Sequence, residues 1–60
     1  MTEEIKAAVL RVRATGRTNM FDLPAVQRIA YELEEYSLVC WLEEPENRKA
    51  YTHFILTGEG

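Results

Sequence analysis

A chain of 60 residues with one cysteine has few means of stabilising a fold. A domain this short buries only about 60% of the surface that its unfolded chain exposes. Domains of this size often rely on a disulfide, a metal or oligomerisation. Cys40 and His53 are the only residues of their types, which excludes an internal disulfide and an ordinary structural zinc site with four nitrogen or sulfur ligands. We therefore expect a single domain over residues 1–60, stabilised by core packing and homo-oligomerisation.

The composition indicates a folded protein outside the membrane. The hydrophobic content of 47% is sufficient for a packed core. No apolar run approaches the roughly 20 residues that span a bilayer, and the first residues lack the basic start and apolar run of a secretory signal. A lone cysteine fits a reduced compartment. We expect a cytoplasmic protein without a cofactor, a metal or a membrane contact.

The first helix is predicted near residues 2–15 by the chemistry of its two ends. Thr2 can cap the N-terminus, and Glu3 and Glu4 follow where carboxylates stabilise the positive end of the helix dipole. Gly16 can end the helix in a left-handed conformation. The inner stripe has the i, i+3, i+4, i+7 spacing of one helical face and consists of Ile5, Ala8, Val9 and Val12.

A second, weaker apolar stripe lies almost opposite the first. It consists of Ala7, Leu10 and Ala14. One interpretation is that the helix is sandwiched inside its own small bundle. The other is that the stripe is a face for self-association or for a partner.

The second helix is predicted near residues 22–35. Asp22 is a strong N-cap, and Pro24 in the first turn removes no intrahelical hydrogen bond. Phe21 and Val26 have the spacing of a hydrophobic staple. The face predicted to be buried consists of Leu23, Val26, Ile29, Ala30 and Leu33, and on the polar face Arg28 and Glu32 have the spacing of an i,i+4 ion pair.

The remaining chain is predicted to form two short helices near residues 37–44 and 45–57. Ser37 can cap the first, Pro45 cannot donate to the preceding turn, and Gly58 can end the last helix. The residues predicted to face inward are Leu38, Val39, Trp41, Leu42, Ala50, Tyr51, Phe54 and Ile55. An alternative is one long helix over 38–57, bent at the proline. Either way, we expect an all-α bundle of three to four helices.

Acidic residues are concentrated in one part of the chain. Between Tyr31 and Glu46 there are six glutamates and no lysine or arginine. They can be ordinary solvated helix faces, or a negative surface for a basic partner or for the arginines of a second copy. Tyr31 is an aromatic ring on a polar face. It can be a half-buried ring lying on the stems of neighbouring side chains, or an interface anchor, a role in which tyrosine is enriched. The candidate partner-binding residues are Tyr31, Glu32, Glu34, Glu35, Glu43, Glu44 and Glu46.

A nucleic-acid interface is the alternative, and its footprint would lie around the connector between the first two helices. Its candidate contacts are Arg11, Arg13, Arg17, Asn19 and Arg28. Residues 26–42 could form a helix-turn-helix, a motif whose second helix contacts the DNA bases in the major groove. Here that second helix, predicted near residues 37–44, would expose Glu43 and Glu44, which repel phosphates. Arg17, Thr18 and Asn19 have no evident folding role in the sequence.

Catalytic chemistry is not indicated. Cys40 and His53 are the single candidates for a nucleophile and a base, and the neighbours expected for Cys40 are glutamates and hydrophobic residues, which do not activate a thiol. The three glycines are predicted to lie at or beyond helix ends, so no glycine-rich phosphate loop is present. We expect a protein that is not an enzyme.

Three runs carry a family resemblance: residues 12–22 (Val-Arg-Ala-Thr-Gly-Arg-Thr-Asn-Met-Phe-Asp), 26–30 (Val-Gln-Arg-Ile-Ala) and 46–58 (Glu-Asn-Arg-Lys-Ala-Tyr-Thr-His-Phe-Ile-Leu-Thr-Gly). They resemble a family of small proteins of unknown function encoded in phages and prophages of Firmicutes. The resemblance implies a turn glycine or an aromatic residue where this chain has Glu34 and Glu35, and a run without proline where it has Pro45.

A viral setting implies function by binding, since small phage proteins without a catalytic set commonly bind a macromolecule. We expect a protein-binding module in the host cytoplasm, with a host or phage protein as partner, and inhibition of a bacterial defence protein as the specific hypothesis. A DNA-associated regulator or packaging accessory protein, and a structural subunit of a larger assembly, are the alternatives.

Overall fold

The computed structural model describes residues 1–58, which form four helices joined by short connections. They are α1 (Glu3–Ala14), α2 (Leu23–Glu32), α3 (Tyr36–Trp41) and α4 (Pro45–Thr57). Within these residues there is no strand, and the molecule measures 23 × 20 × 20 Å. The predicted all-α bundle is confirmed, and the part of the chain after residue 35 is two helices rather than one bent helix.

Both ends of α1 use the predicted chemistry. The Thr2 side-chain oxygen accepts a hydrogen bond from the Ile5 N–H at 3.2 Å, as an N-cap does. Gly16 has a φ of 62°, a left-handed conformation that glycine adopts without a steric penalty. The predicted inner stripe of Ile5, Ala8, Val9 and Val12 is buried.

The start of α2 agrees only in part with the prediction. Asp22 accepts from the Ala25 N–H at 3.4 Å, and Pro24 lies in the first turn. Val26 is fully buried, but Phe21 is 52% exposed. Met20 is the partly buried connector residue that packs against the core, so the structure does not support the predicted staple.

The predicted end of α2 at residue 35 is wrong, because the helix stops at Glu32. Glu34 has a φ of 62° and is the one residue besides glycine with a positive φ in residues 1–58. The Ala30 carbonyl accepts from the Glu35 N–H at 2.8 Å and the Tyr31 carbonyl from the Glu34 N–H at 3.0 Å. This is the Schellman pattern that usually has glycine at the left-handed position.

The early stop of α2 changes the roles of two neighbouring side chains. Leu33 lies beyond the last helical turn and is exposed rather than buried. Ser37 does not cap α3, whose N-cap is Glu35, without a side-chain cap bond. The Ser37 hydroxyl instead donates to Glu4 at 3.2 Å, which links α3 to the start of α1.

The junction of α3 and α4 is closed by side chains of α4. Asn47 donates to the Trp41 carbonyl and Arg48 to the Leu42 carbonyl, each at 2.9 Å. These bonds satisfy carbonyl groups that a helix end leaves without intrahelical partners, and α3 ends at Trp41 rather than near residue 44. Pro45 begins α4.

The core is closed by Tyr51 of α4. Helices α1, α2 and α3 pack directly against one another, whereas α4 reaches them through its longer side chains. Tyr51 is fully buried and its hydroxyl donates to the Met20 carbonyl in the α1–α2 connector. Of the other residues predicted to face inward from α4, Phe54 and Ile55 are partly buried, but Ala50 is exposed.

We expect Tyr51→Phe to lower the free energy of unfolding by about 0.5–1.5 kcal/mol, because the variant keeps the ring packing and loses one hydrogen bond. Tyr51→Ala should cost about 3–5 kcal/mol, which a domain of this size cannot readily lose. Urea unfolding followed by circular dichroism measures both changes. An unchanged midpoint in Tyr51→Phe would contradict a stabilising role for the hydroxyl.

The buried hydroxyl also predicts a loss of stability at alkaline pH. Desolvation raises the pKa of Tyr51 from its ordinary 10.0 to about 12, so the folded state retains a proton that the unfolded state releases. The resulting stabilisation is complete below pH 10.0 and is lost as the pH rises towards about 12. Urea midpoints measured across this range should fall more steeply in the native protein than in Tyr51→Phe.

We expect Glu34→Gly to raise the free energy of unfolding by about 0.5–1 kcal/mol. A side chain in the left-handed conformation is strained by about 1–2 kcal/mol, and the added flexibility of glycine in the unfolded chain offsets part of that gain. Glu34→Ala is the matched control, because it removes the charge but keeps the Cβ. A similar gain in both variants would assign the effect to charge instead.

Candidate functional site

Two exposed aromatic rings meet where α2 turns into α3, a region we call the corner and define as residues 31–36. Tyr31 is 63% and Tyr36 50% exposed. Their ring centroids lie 5.3 Å apart and the ring planes cross at 66°, an edge-to-face contact. This geometry is favourable for aromatic pairs, so the two rings form one exposed surface of defined shape.

The left-handed turn at Glu34 brings the second ring into place. Tyr31 is the ring that the sequence predicts as an interface anchor, and Tyr36 is the partner that sequence reasoning missed. The two residues lie on different helices, so helical spacing gives no signal for their contact. A turn glycine in the sequence would have indicated the reversal, but Glu34 occupies that position.

Two ion pairs brace the corner from the side of α1 and its connector. An Arg11 nitrogen lies 2.7 Å from a Glu35 carboxylate oxygen, and the Glu35 side chain is only 19% exposed. Arg17 donates to both carboxylate oxygens of Glu32 at 3.3 Å. Each pair therefore joins an arginine predicted to contact nucleic acid to a glutamate predicted to belong to an acidic partner-binding surface.

This pairing divides the predicted acidic surface. Glu32 pairs with Arg17, so the predicted pair with Arg28 is wrong. Glu34 is exposed at the corner. The other predicted residues come after α3, with Glu46 in the first turn of α4, and all three are exposed: Glu43, Glu44 and Glu46. The glutamates thus form two groups instead of one continuous face.

Three of the five residues predicted to contact nucleic acid are engaged in contacts within the chain. Arg11 and Arg17 are engaged in the ion pairs. The Asn19 side chain accepts from the Phe21 N–H at 2.8 Å and so shapes the connector. Arg13 and Arg28 are exposed. Arg17 and Asn19, two of the three connector residues without an evident role in the sequence, therefore have structural roles.

The second stripe of α1 lies on the surface. Leu10 is 50% exposed, Ala14 is exposed and Ala7 is partly exposed. The interpretation that α1 is sandwiched inside its own bundle is therefore wrong. The alternative, a face for self-association or for a partner, stays a prediction.

The single candidates for nucleophile and base are both exposed, Cys40 on α3 and His53 on α4. In residues 1–58, no group of three or more His, Cys, Asp or Glu side chains could hold a metal ion. None of the helices described there is long and apolar enough to cross a membrane.

Comparison with known proteins gives a family and no further relative. Neither a curated protein nor a solved structure matches the chain. One family model matches residues 1–59, and its description confirms the expectation of a family of unknown function. The match spans nearly all of the sequence, and the chain therefore belongs to the family described as Domain of unknown function (DUF5049).

Proposed function

We propose that this protein is a non-enzymatic protein-binding module whose contact surface is the corner. The observation that carries the proposal is the edge-to-face pair of Tyr31 and Tyr36, which holds two amphipathic rings at the surface. Tyrosine is enriched at interface hot spots. It supplies a large contact area with few rotatable bonds, so little conformational entropy is lost on binding.

The attachment of the corner to α1 and its connector supports the same proposal. The ion pairs of Glu35 with Arg11 and of Glu32 with Arg17 join the segments on either side of the turn to this part of the chain. A surface that is ordered before binding loses less free energy in forming a complex. The strained backbone of Glu34 also fits, because such residues are concentrated at functional sites.

Charge defines the kind of partner. Glu34 before α3, and the exposed Glu43, Glu44 and Glu46 after it, leave negative charge on the segments that precede and follow this helix. A partner with an apolar pocket for the two rings and a basic rim would match this arrangement. Such complementarity chiefly raises the association rate and excludes wrong partners.

The family resemblance supports a phage or prophage setting, and we propose a host or phage protein in the host cytoplasm as the partner. Inhibition of a bacterial defence protein is the specific role to test. A DNA-associated role would have to rely on Arg13 and Arg28, because the ion pairs already occupy two of the other arginines. We therefore keep it as an outcome of the test.

We expect Tyr31→Ala and Tyr36→Ala each to weaken partner binding at least about tenfold, as truncation of a hot-spot side chain does. The immobilised native protein first captures its partner from a host lysate treated with nuclease. The affinity of the purified partner is then measured by calorimetry for the native protein and for each variant.

Phe21→Ala is the matched control, since Phe21 is exposed like Tyr36 but lies at the other end of α2. It should leave the affinity unchanged. Equal losses in all three variants would contradict the corner as the site. Salt-dependent retention of duplex DNA by the purified protein, lost on changing Arg13 and Arg28 to Ala, would support the DNA-associated role instead.

A further inference from the structure

A groove runs along α1 on the side that the fold leaves open. Its volume is about 530 Å³, and α1 lines it from Glu3 to Arg13, a length of about 15 Å at 1.5 Å per helical residue. Leu10 lies in its wall, and Phe54 and Ile55 of α4 line the other side. The groove thus has the length of a three-turn helix, and its lining combines apolar side chains with three charged ones, Glu3, Lys6 and Arg13.

Three charged residues line the groove. Glu3 and Lys6 lie toward the end where α1 begins, and Arg13 lies at the end where it finishes. A second α1 lying antiparallel in the groove would bring each Glu3 against the Arg13 of the other copy. A two-fold axis always creates such reciprocal contacts, and antiparallel helices also place opposite dipole ends together.

Side-chain size is complementary under the same symmetry. A two-fold axis that crosses α1 midway between Ala7 and Leu10 places the larger residue of each copy over the smaller residue of the other. Leu10 is half exposed in the single chain, and in the pair it would lie between the alanine of the second copy and that copy's Phe54 and Ile55. Alternation of large and small side chains is how facing helices pack closely.

We propose that a second copy of this chain occupies the groove, and that the protein is a two-fold dimer with antiparallel α1 helices. Lys6 lies 3.6 Å from Glu3 within one chain. The Glu3 side chain is nevertheless 92% exposed, so its carboxylate is accessible to an arginine of the second copy. The dimer adds apolar burial to a domain whose own core is small for its surface.

Sedimentation equilibrium of the native protein tests the proposal, with twice the chain mass of 7.0 kDa expected. Leu10→Glu should raise the dimer dissociation constant by at least about 100-fold, because both copies lose an apolar contact. The matched control is Leu56→Glu, the same substitution at a leucine that is 71% exposed and does not line the groove. It should leave the dimer intact, and circular dichroism checks that both variants fold.

A charge exchange tests the antiparallel register. Glu3→Arg and Arg13→Glu should each weaken the dimer, because each places like charges together at both ends of the interface. The double variant restores opposite charges and should recover the native affinity. Nonspecific association through exposed apolar side chains would not make the effects of the two substitutions depend on each other in this way.

Two results would overturn the proposal. One is a native protein that stays monomeric up to about 1 mM, a concentration at which even weak association is detected. The other is a dimer that Leu10→Glu leaves intact. Both results concern α1 and α4 and leave the role of the corner to its own test.

Discussion

Burial of one phenol ring attaches the last helix of this small domain to the other three. Tyr51 is among the largest fully buried side chains and is the contribution of α4 to the buried core. Its hydroxyl donates to the Met20 carbonyl, so the last helix is tied to the connector between the first two. Removing the ring would leave α4 attached mainly by partly buried side chains and by its bonds to the end of α3. The groove between α1 and α4 depends on this closure, because Phe54 and Ile55 of α4 form one of its walls.

The sequence predicts the helix ends that rest on local chemistry. Each of these ends is set by a residue that acts on its own backbone neighbours. The residues are Thr2 and Gly16 for α1, Asp22 for the start of α2 and Pro45 for the start of α4. The end of α2 depends instead on Glu34 in a conformation that its side chain disfavours. Propensity alone continues the helix there, so the sequence predicts the end of α2 near residue 35 instead of at Glu32.

The candidate site could be predicted only in part, because it depends on contacts between segments that are distant in the sequence. Sequence composition separates an acidic segment from a basic one, and each suggests its own partner. In three dimensions the two segments meet, and Arg11 and Arg17 neutralise Glu35 and Glu32. The distances in sequence are too long for any helical spacing rule. Of the two rings, only Tyr31, whose exposure follows from its position on a polar helix face, was predictable as part of the surface.

The two surfaces proposed for binding lie on different elements, and this separation has a consequence. A dimer formed through α1 and α4 leaves the tyrosines of the corner outside the interface, since neither ring lines the groove. Each dimer would then present two identical corners. A partner that is itself two-fold or repetitive could bind both, and the second contact would form at the high effective concentration set by the first. Modest affinity at a surface of two rings and a few charges would in that case be sufficient for tight binding.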